Sequence, residues 1–214
     1  MNKTSRKIGE YLLQIKAIKL EPANPFTWAS GWKSPIYCDN RKTLSYPVIR
    51  TFIRDAFAEI IREKYQQTGV IAGVATGAIA HGALIAQELD IPFVYVRPGA
   101  KSHGLGNKIE GVVKEGQKVL VIEDLISTGG SSLRAVSALR DAGCNVLGMQ
   151  AIFTYGFALA EDNFKNAKCN LATLSNYNDL IELALESGYI DKDQLETLKM
   201  WRKDPANWNG GKNS

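Results

Sequence analysis

Histidine and cysteine are scarce in this chain of 214 residues, with two of the first and three of the second. Cys38, Cys144 and Cys169 are widely spaced and odd in number, without a CxxC or a Cys/His cluster. That pattern excludes a zinc finger and argues against a disulfide framework, leaving reduced, mostly buried thiols. No apolar run approaches the roughly 20 residues needed to cross a bilayer. The opening MNKTSRKIGEYLLQIKAI is too charged for the apolar core of a secretory signal, so a cytoplasmic protein with no membrane partner is expected. Blocks of like charge are missing as well. The 26 Lys and Arg against 22 Asp and Glu give a formal charge of +4, spread along the whole chain. A mild basic excess suits anionic small substrates as well as nucleic acid, and alone decides neither.

What is present is an ordinary apolar fraction, 45%, enough for one buried core. Ile8, Tyr11, Leu12 and Ile15 recur at helical spacing. A loop-like stretch, EPANPFTWASGWKSPIYCDN, follows, and Pro47 suits the first turn of a second helix that Gly69 ends. The pattern then alternates. Val70–Val74, Phe93–Val96, Val119–Ile122 and Val146–Phe153 read as strands, with a further one at Leu171–Leu174. Gly77–Leu89 and Ser131–Ala142 read as helices, and Arg97–Gly111 as a Gly- and Lys-rich loop. Two helices close the chain, Asp179–Glu186 with Asn178 as N-cap, and Asp191–Lys203. Strands alternating with helices at this spacing predict an α/β fold with a central, mostly parallel sheet flanked by helices.

In such sheets ligands bind at the carboxyl ends of strands. The strand at Val119–Ile122 is predicted to deliver Glu123 and Asp124 to that edge, where two carboxylates need polar partners. Leu125 and Ile126 lead on to Ser127, Thr128, Gly129, Gly130 and Ser131, which open the next helix. Glycines permit a tight turn, and the free N–H groups of a helix start attract an anion. An anion cradle beside two carboxylates matches a phosphate at one end of a molecule and vicinal hydroxyls in its middle, as in ribose 5-phosphate. The ordered run VLVIEDLISTGGSS resembles the phosphoribosyl-diphosphate (PRPP) signature of type I phosphoribosyltransferases.

Two further segments narrow the resemblance. Arg97 through Asn107 carries Arg-x3-Lys-x-His-Gly, with Arg97, Lys101 and His103. It is similar to the catalytic loop of orotate phosphoribosyltransferases. Phe26–Asn40, with Phe26-Thr27 and Ser30-Gly31 before Ser34-Pro35, is similar to the same family's hood over the base. The likeness runs from about Ile8 to Trp208. Departures are visible too. Ala29 and Trp32 stand where many members have Lys and Arg, and Ala75-Thr76-Gly77 where many have a Tyr-Lys pair. Pro98 replaces a second lid cation, and Tyr155 an arginine that contacts orotate.

The resemblance implies a single domain over 1–214, with a hood mainly from 1–45 plus C-terminal elements and a core of about 46–175. It implies Mg²⁺-dependent transfer of ribose 5-phosphate from PRPP to N1 of orotate, giving orotidine 5′-monophosphate and pyrophosphate. Lys101, His103 and Arg97 would clamp the pyrophosphate, and Ala75, Thr76 and Gly77 would approach it with backbone. Glu123 and Asp124 would hold the ribose hydroxyls and the segment Ser127–Ser131 the 5′-phosphate, with Leu125 and Ile126 also among the PRPP-binding residues. Ser127 would also touch orotate, with Tyr37 and Tyr155 as further candidates. Mg²⁺ would be held mainly through the substrate, without a dedicated protein ligand. A homodimer is implied, with the lid of one subunit acting on the other's site.

Three rivals are weighed. A purine-type phosphoribosyltransferase would share the cradle but not the hood and lid. A non-catalytic PRPP-sensing regulator would need a nucleic-acid surface, and the basic residues form no run, so no nucleic-acid partner is expected. A dinucleotide-binding dehydrogenase would need G-x-G-x-x-G, which GVATGAIAHG does not supply. His81, alone in a helix of small residues, reads as packing.

Overall fold

The computed structural model describes residues 1–28, 30–97, 99 and 108–210. Helix α1 (Lys3–Gln14) precedes four short strands, β1 (Ile18–Leu20), β2 (Phe26–Thr27), β3 (Lys33–Ser34) and β4 (Ile36–Cys38). After a 3-10 turn at Asn40–Ser45 come α2 (Pro47–Lys64), β5 (Val70–Val74), α3 (Ile79–Leu89), β6 (Phe93–Val96) and β7 (Ile109–Glu110). The chain continues with β8 (Lys118–Ile126), α4 (Gly130–Asp141), β9 (Asn145–Thr154) and α5 (Ala158–Asn166). It closes with β10 (Leu171–Asn176), α6 (Tyr177–Glu186) and α7 (Lys192–Lys203). Two compact units result, Met1–Thr43 with Ser175–Ser214, and Leu44–Leu174.

In the first unit, α1 and α6 pack along Ile8, Leu12, Leu180 and Leu183, all buried. Strands β1 and β4 pair antiparallel, as do β2 and β3. Trp201 is fully buried, its indole N–H donating to the carbonyl of Lys33 at 3.1 Å and its ring edge-on to Trp28 at 5.6 Å. Helix α7 begins with a reciprocal capping box between Asp191 and Gln194.

The second unit is built on a sheet of order β10-β9-β8-β5-β6-β7. Strands β6, β5, β8 and β9 run parallel, and β7 returns antiparallel on β6. Val70–Val74 is buried throughout because both faces of β5 are covered. One face gathers Val70, Ala72, Val121, Met149 and Ala151 against Val136 and Leu139 of α4 and Phe164 of α5. Burial of each large side chain there contributes about 1.5–3 kcal/mol.

Several sequence expectations are corrected. Strand β8 does not stop at Ile122 but runs through Ile126, because β9 stays paired with it to Leu125↔Phe153 and Ile126↔Thr154. Helix α3 starts at Ile79 rather than Gly77, since 75–78 form a turn. The loop expected over Arg97–Gly111 includes the edge strand β7, whose Ile109 pairs with Val96. The cap of α6 is Asn176, which accepts from the Asp179 amide at 3.0 Å, and not Asn178. Helix α5 has no counterpart in the sequence reading, for its buried face is only Ala160 and Phe164.

Candidate active site

Because β8 continues past the acidic pair, Glu123 and Asp124 project to opposite faces of the sheet. Glu123 is 5% exposed. Its Oε2 accepts from the Ser132 hydroxyl at 2.8 Å and its Oε1 from the Asp124 amide at 3.0 Å. Burial above all, and then the neighbouring charge of Asp124, raises its pKa from 4.5 to about 8, against the opposing pull of the Ser132 hydrogen bond. The Asp124 carboxylate instead lies against the backbone of Gly77, so close that a Cβ at that position would overlap it. The turn Ala75–Gly77 at the end of β5 thus meets the Asp124 side of β8, with Thr76 exposed beside half-buried Ala75 and Gly77.

The loop from Ser127 to Gly129 is held from behind. Thr154 of β9 bonds through its hydroxyl to the carbonyl of Ile126, which also accepts from the Tyr155 amide at 3.1 Å. Asn163 of α5 donates its Nδ2 to the carbonyl of Thr128 at 2.9 Å. Gly129 turns into α4 at φ +80°, a left-handed conformation that glycine adopts without strain, and a Cβ there would stand 2.7 Å from the Phe164 ring. Among the described residues no side chain caps the start of α4. Its first N–H groups and the half-buried Ser127 and Thr128 and exposed Ser131 leave donors for an anion.

Arg97, at the end of β6, bonds to Glu110 of β7 at 3.3 Å. Its amide also donates to the Lys108 carbonyl at 2.8 Å. At this exposure the ion pair contributes less than about 1 kcal/mol, so the guanidinium can be drawn to a stronger anion. Lys101 and His103 lie outside the described residues, as does Ala29. Tyr155 is 2% exposed, stacked on Phe157 at 5.5 Å and edge-on to Phe153 at 5.8 Å. Tyr37 belongs to the first unit, where its ring is 40% exposed and 5.6 Å from Phe26. His81 is 1% exposed and burial lowers its pKa to about 4, so it stays neutral.

Sequence reasoning missed Ser132 and Asn163. Ser132 shares the spacing of Ala135, Val136 and Leu139, the buried face of α4, so a hydroxyl on an apolar stripe was the available signal. Asn163 carries no such mark. Among the described residues no group of three or more His, Cys, Asp or Glu side chains comes together. The side chains that meet here offer oxygen donors, the kind that Mg²⁺ prefers.

The arrangement joins an uncapped helix start, a backbone turn and a carboxyl pair, a set suited to a phosphorylated sugar. Comparisons with known proteins agree. The model of the phosphoribosyl transferase domain family matches residues 46–177. An orotate phosphoribosyltransferase of Phocaeicola vulgatus is 61% identical over 211 residues, covering 98% of this chain and all of that protein. One from Bacteroides thetaiotaomicron is 59% identical over 212 residues, 99% of this chain and all of its own. The crystal structure of orotate phosphoribosyltransferase from Aeropyrum pernix is similar in fold, with a TM-score of 0.74 at 24% identity, covering 86% of this chain and 99% of that one.

Proposed function

We propose a function from the premise that the chain belongs to the orotate phosphoribosyltransferase family of type I phosphoribosyltransferases. It transfers ribose 5-phosphate from PRPP to N1 of orotate, a step of pyrimidine synthesis. The C1′–O bond to pyrophosphate breaks as the N1–C1′ bond forms with inversion, and the N1 proton of orotate is released to the medium, giving orotidine 5′-monophosphate and pyrophosphate. The observation that carries the reading is the carboxyl end of β8, where Asp124 meets the turn Ala75–Gly77 and Glu123, on the other face, is held by Ser132 of α4, the helix whose start follows the hydroxyl and glycine run.

In this reading the α4 amides with Ser127, Thr128 and Ser131 hold the 5′-phosphate, and Glu123 and Asp124 the ribose hydroxyls. Bond breaking leaves positive charge on the ribose and adds negative charge to pyrophosphate, so groups stabilising the latter gain most in the transition state. Arg97, Lys101 and His103 are the cations for that role, with the backbone of Ala75–Gly77 close to the same oxygens. Mg²⁺ bound on the substrate would supply charge neutralisation at the leaving group. Ser127 is the contact proposed for orotate. A cytoplasmic homodimer belongs to the same proposal and rests on the family resemblance.

The test is loss of orotate absorbance on mixing the purified protein with PRPP and Mg²⁺, repeated with uracil and hypoxanthine. Turnover with orotate alone is expected. Turnover with hypoxanthine in its place would move the protein to the purine branch.

A further inference from the structure

Glu123 is held by a side chain that belongs to neither the cradle nor the lid. Ser132 lies on the buried face of α4, 1% exposed, and donates to Oε2 of Glu123 at 2.8 Å. The Asp124 amide takes Oε1 at 3.0 Å. With one donor on each oxygen, the plane of the carboxyl group is fixed, and each oxygen keeps a lone pair for a further donor. A buried carboxyl held by its own backbone alone would keep freedom about its last torsion, which is broad for an sp³–sp² bond.

We propose that Ser132 is a positioning residue for PRPP: it locks Glu123 in the orientation that accepts a ribose hydroxyl. The inference rests on the functional reading above and adds a residue to it. Helix α4 then serves twice. Its first turn presents backbone donors at one end of the ligand, and its second face, through Ser132, orients the acid that meets the middle. A shift of α4 relative to β8 would disturb both ends of the sugar phosphate together.

Ser132→Ala, Glu123→Gln and the double variant test this, with Ser137→Ala, an exposed serine of the same helix, as a control. Alanine is the best helix former and removes a single oxygen, so the fold should hold, as a melting temperature will show. A hydrogen bond to an ionisable group is worth enough for about a tenfold effect. Ser132→Ala should therefore raise KM for PRPP about tenfold, with KM for orotate unchanged and kcat within about threefold. In the Glu123→Gln background the same change should add less than about twofold, because its target is already altered. An equal loss in both backgrounds, or an unchanged KM for PRPP in Ser132→Ala, overturns the proposal. Wild-type protein without PRPP-dependent loss of orotate would instead overturn the functional reading, and the two failures are read on different proteins.

Discussion

Substituting Glu123 by Gln should alter how the stability of the substrate-free protein depends on pH. Burial and the charge of Asp124 raise the Glu123 pKa from 4.5 to about 8. A carboxyl with a higher pKa folded than unfolded favours folding fully below pH 4.5, where both states carry the proton. Between pH 4.5 and 8 the unfolded chain gives up that proton while the folded one keeps it. Stability then falls by about 1.4 kcal/mol per pH unit, and by roughly 5 kcal/mol in all once pH passes 8. Glutamine keeps the shape, can accept from the Asp124 amide through its oxygen while its NH2 donates to the Ser132 hydroxyl, and does not ionise. Relative to wild type, the Glu123→Gln protein should gain about 3 kcal/mol between pH 5.5 and 7.5. For a chain of this length that is about 6–12 °C in melting temperature. Scanning calorimetry of both proteins without PRPP, phosphate or Mg²⁺ reads the difference, in which all other titrating groups largely cancel. Melting temperatures that keep a constant separation across this range would refute the reasoning.

Two further outcomes are expected. Gly77→Ala places a Cβ in the space of the Asp124 carboxylate and should raise KM for PRPP about 10–100-fold in steady-state kinetics; an unchanged value would separate Asp124 from the ribose. Lys101→Ala should lower kcat by about 10²–10³-fold with an unchanged melting temperature, and retention of kcat within a few-fold would remove the lid lysine from the chemistry.

Strands β5 and β6 could be read from the sequence to the residue, because each is a continuous apolar run closed by a polar or turn residue. Strand β8 could not. Two acids end its apolar run at Ile122, yet backbone pairing with β9 does not depend on side-chain polarity and carries the ladder four residues on. That difference decides the site, since it sends Glu123 and Asp124 to opposite faces instead of leaving both on a loop. The strands of the first unit, two or three residues each, are too short for an alternating pattern to register. Helix α5 shows two buried residues and no side-chain cap, so neither periodicity nor a start signal marks it. The acidic pair and the hydroxyl and glycine run stand out because they are contiguous. The Gly77–Asp124 approach joins residues distant along the chain, and the Ser132–Glu123 bond needs α4 folded back on β8, so neither shows in the local pattern.

The pairing of β6 with β7 has a consequence for how this enzyme family can change. Val96 pairs with Ile109, and the Arg97 amide meets the Lys108 carbonyl, so the chain leaves the sheet and re-enters it at one place. The sheet thus holds both ends of the connection between these strands. For a flexible chain closed between two fixed ends, doubling its length costs only about 0.6 kcal/mol of closure entropy. Length and sequence between β6 and β7 can therefore change with the strand register kept, which lets the reaction be retuned on a scaffold that stays the same.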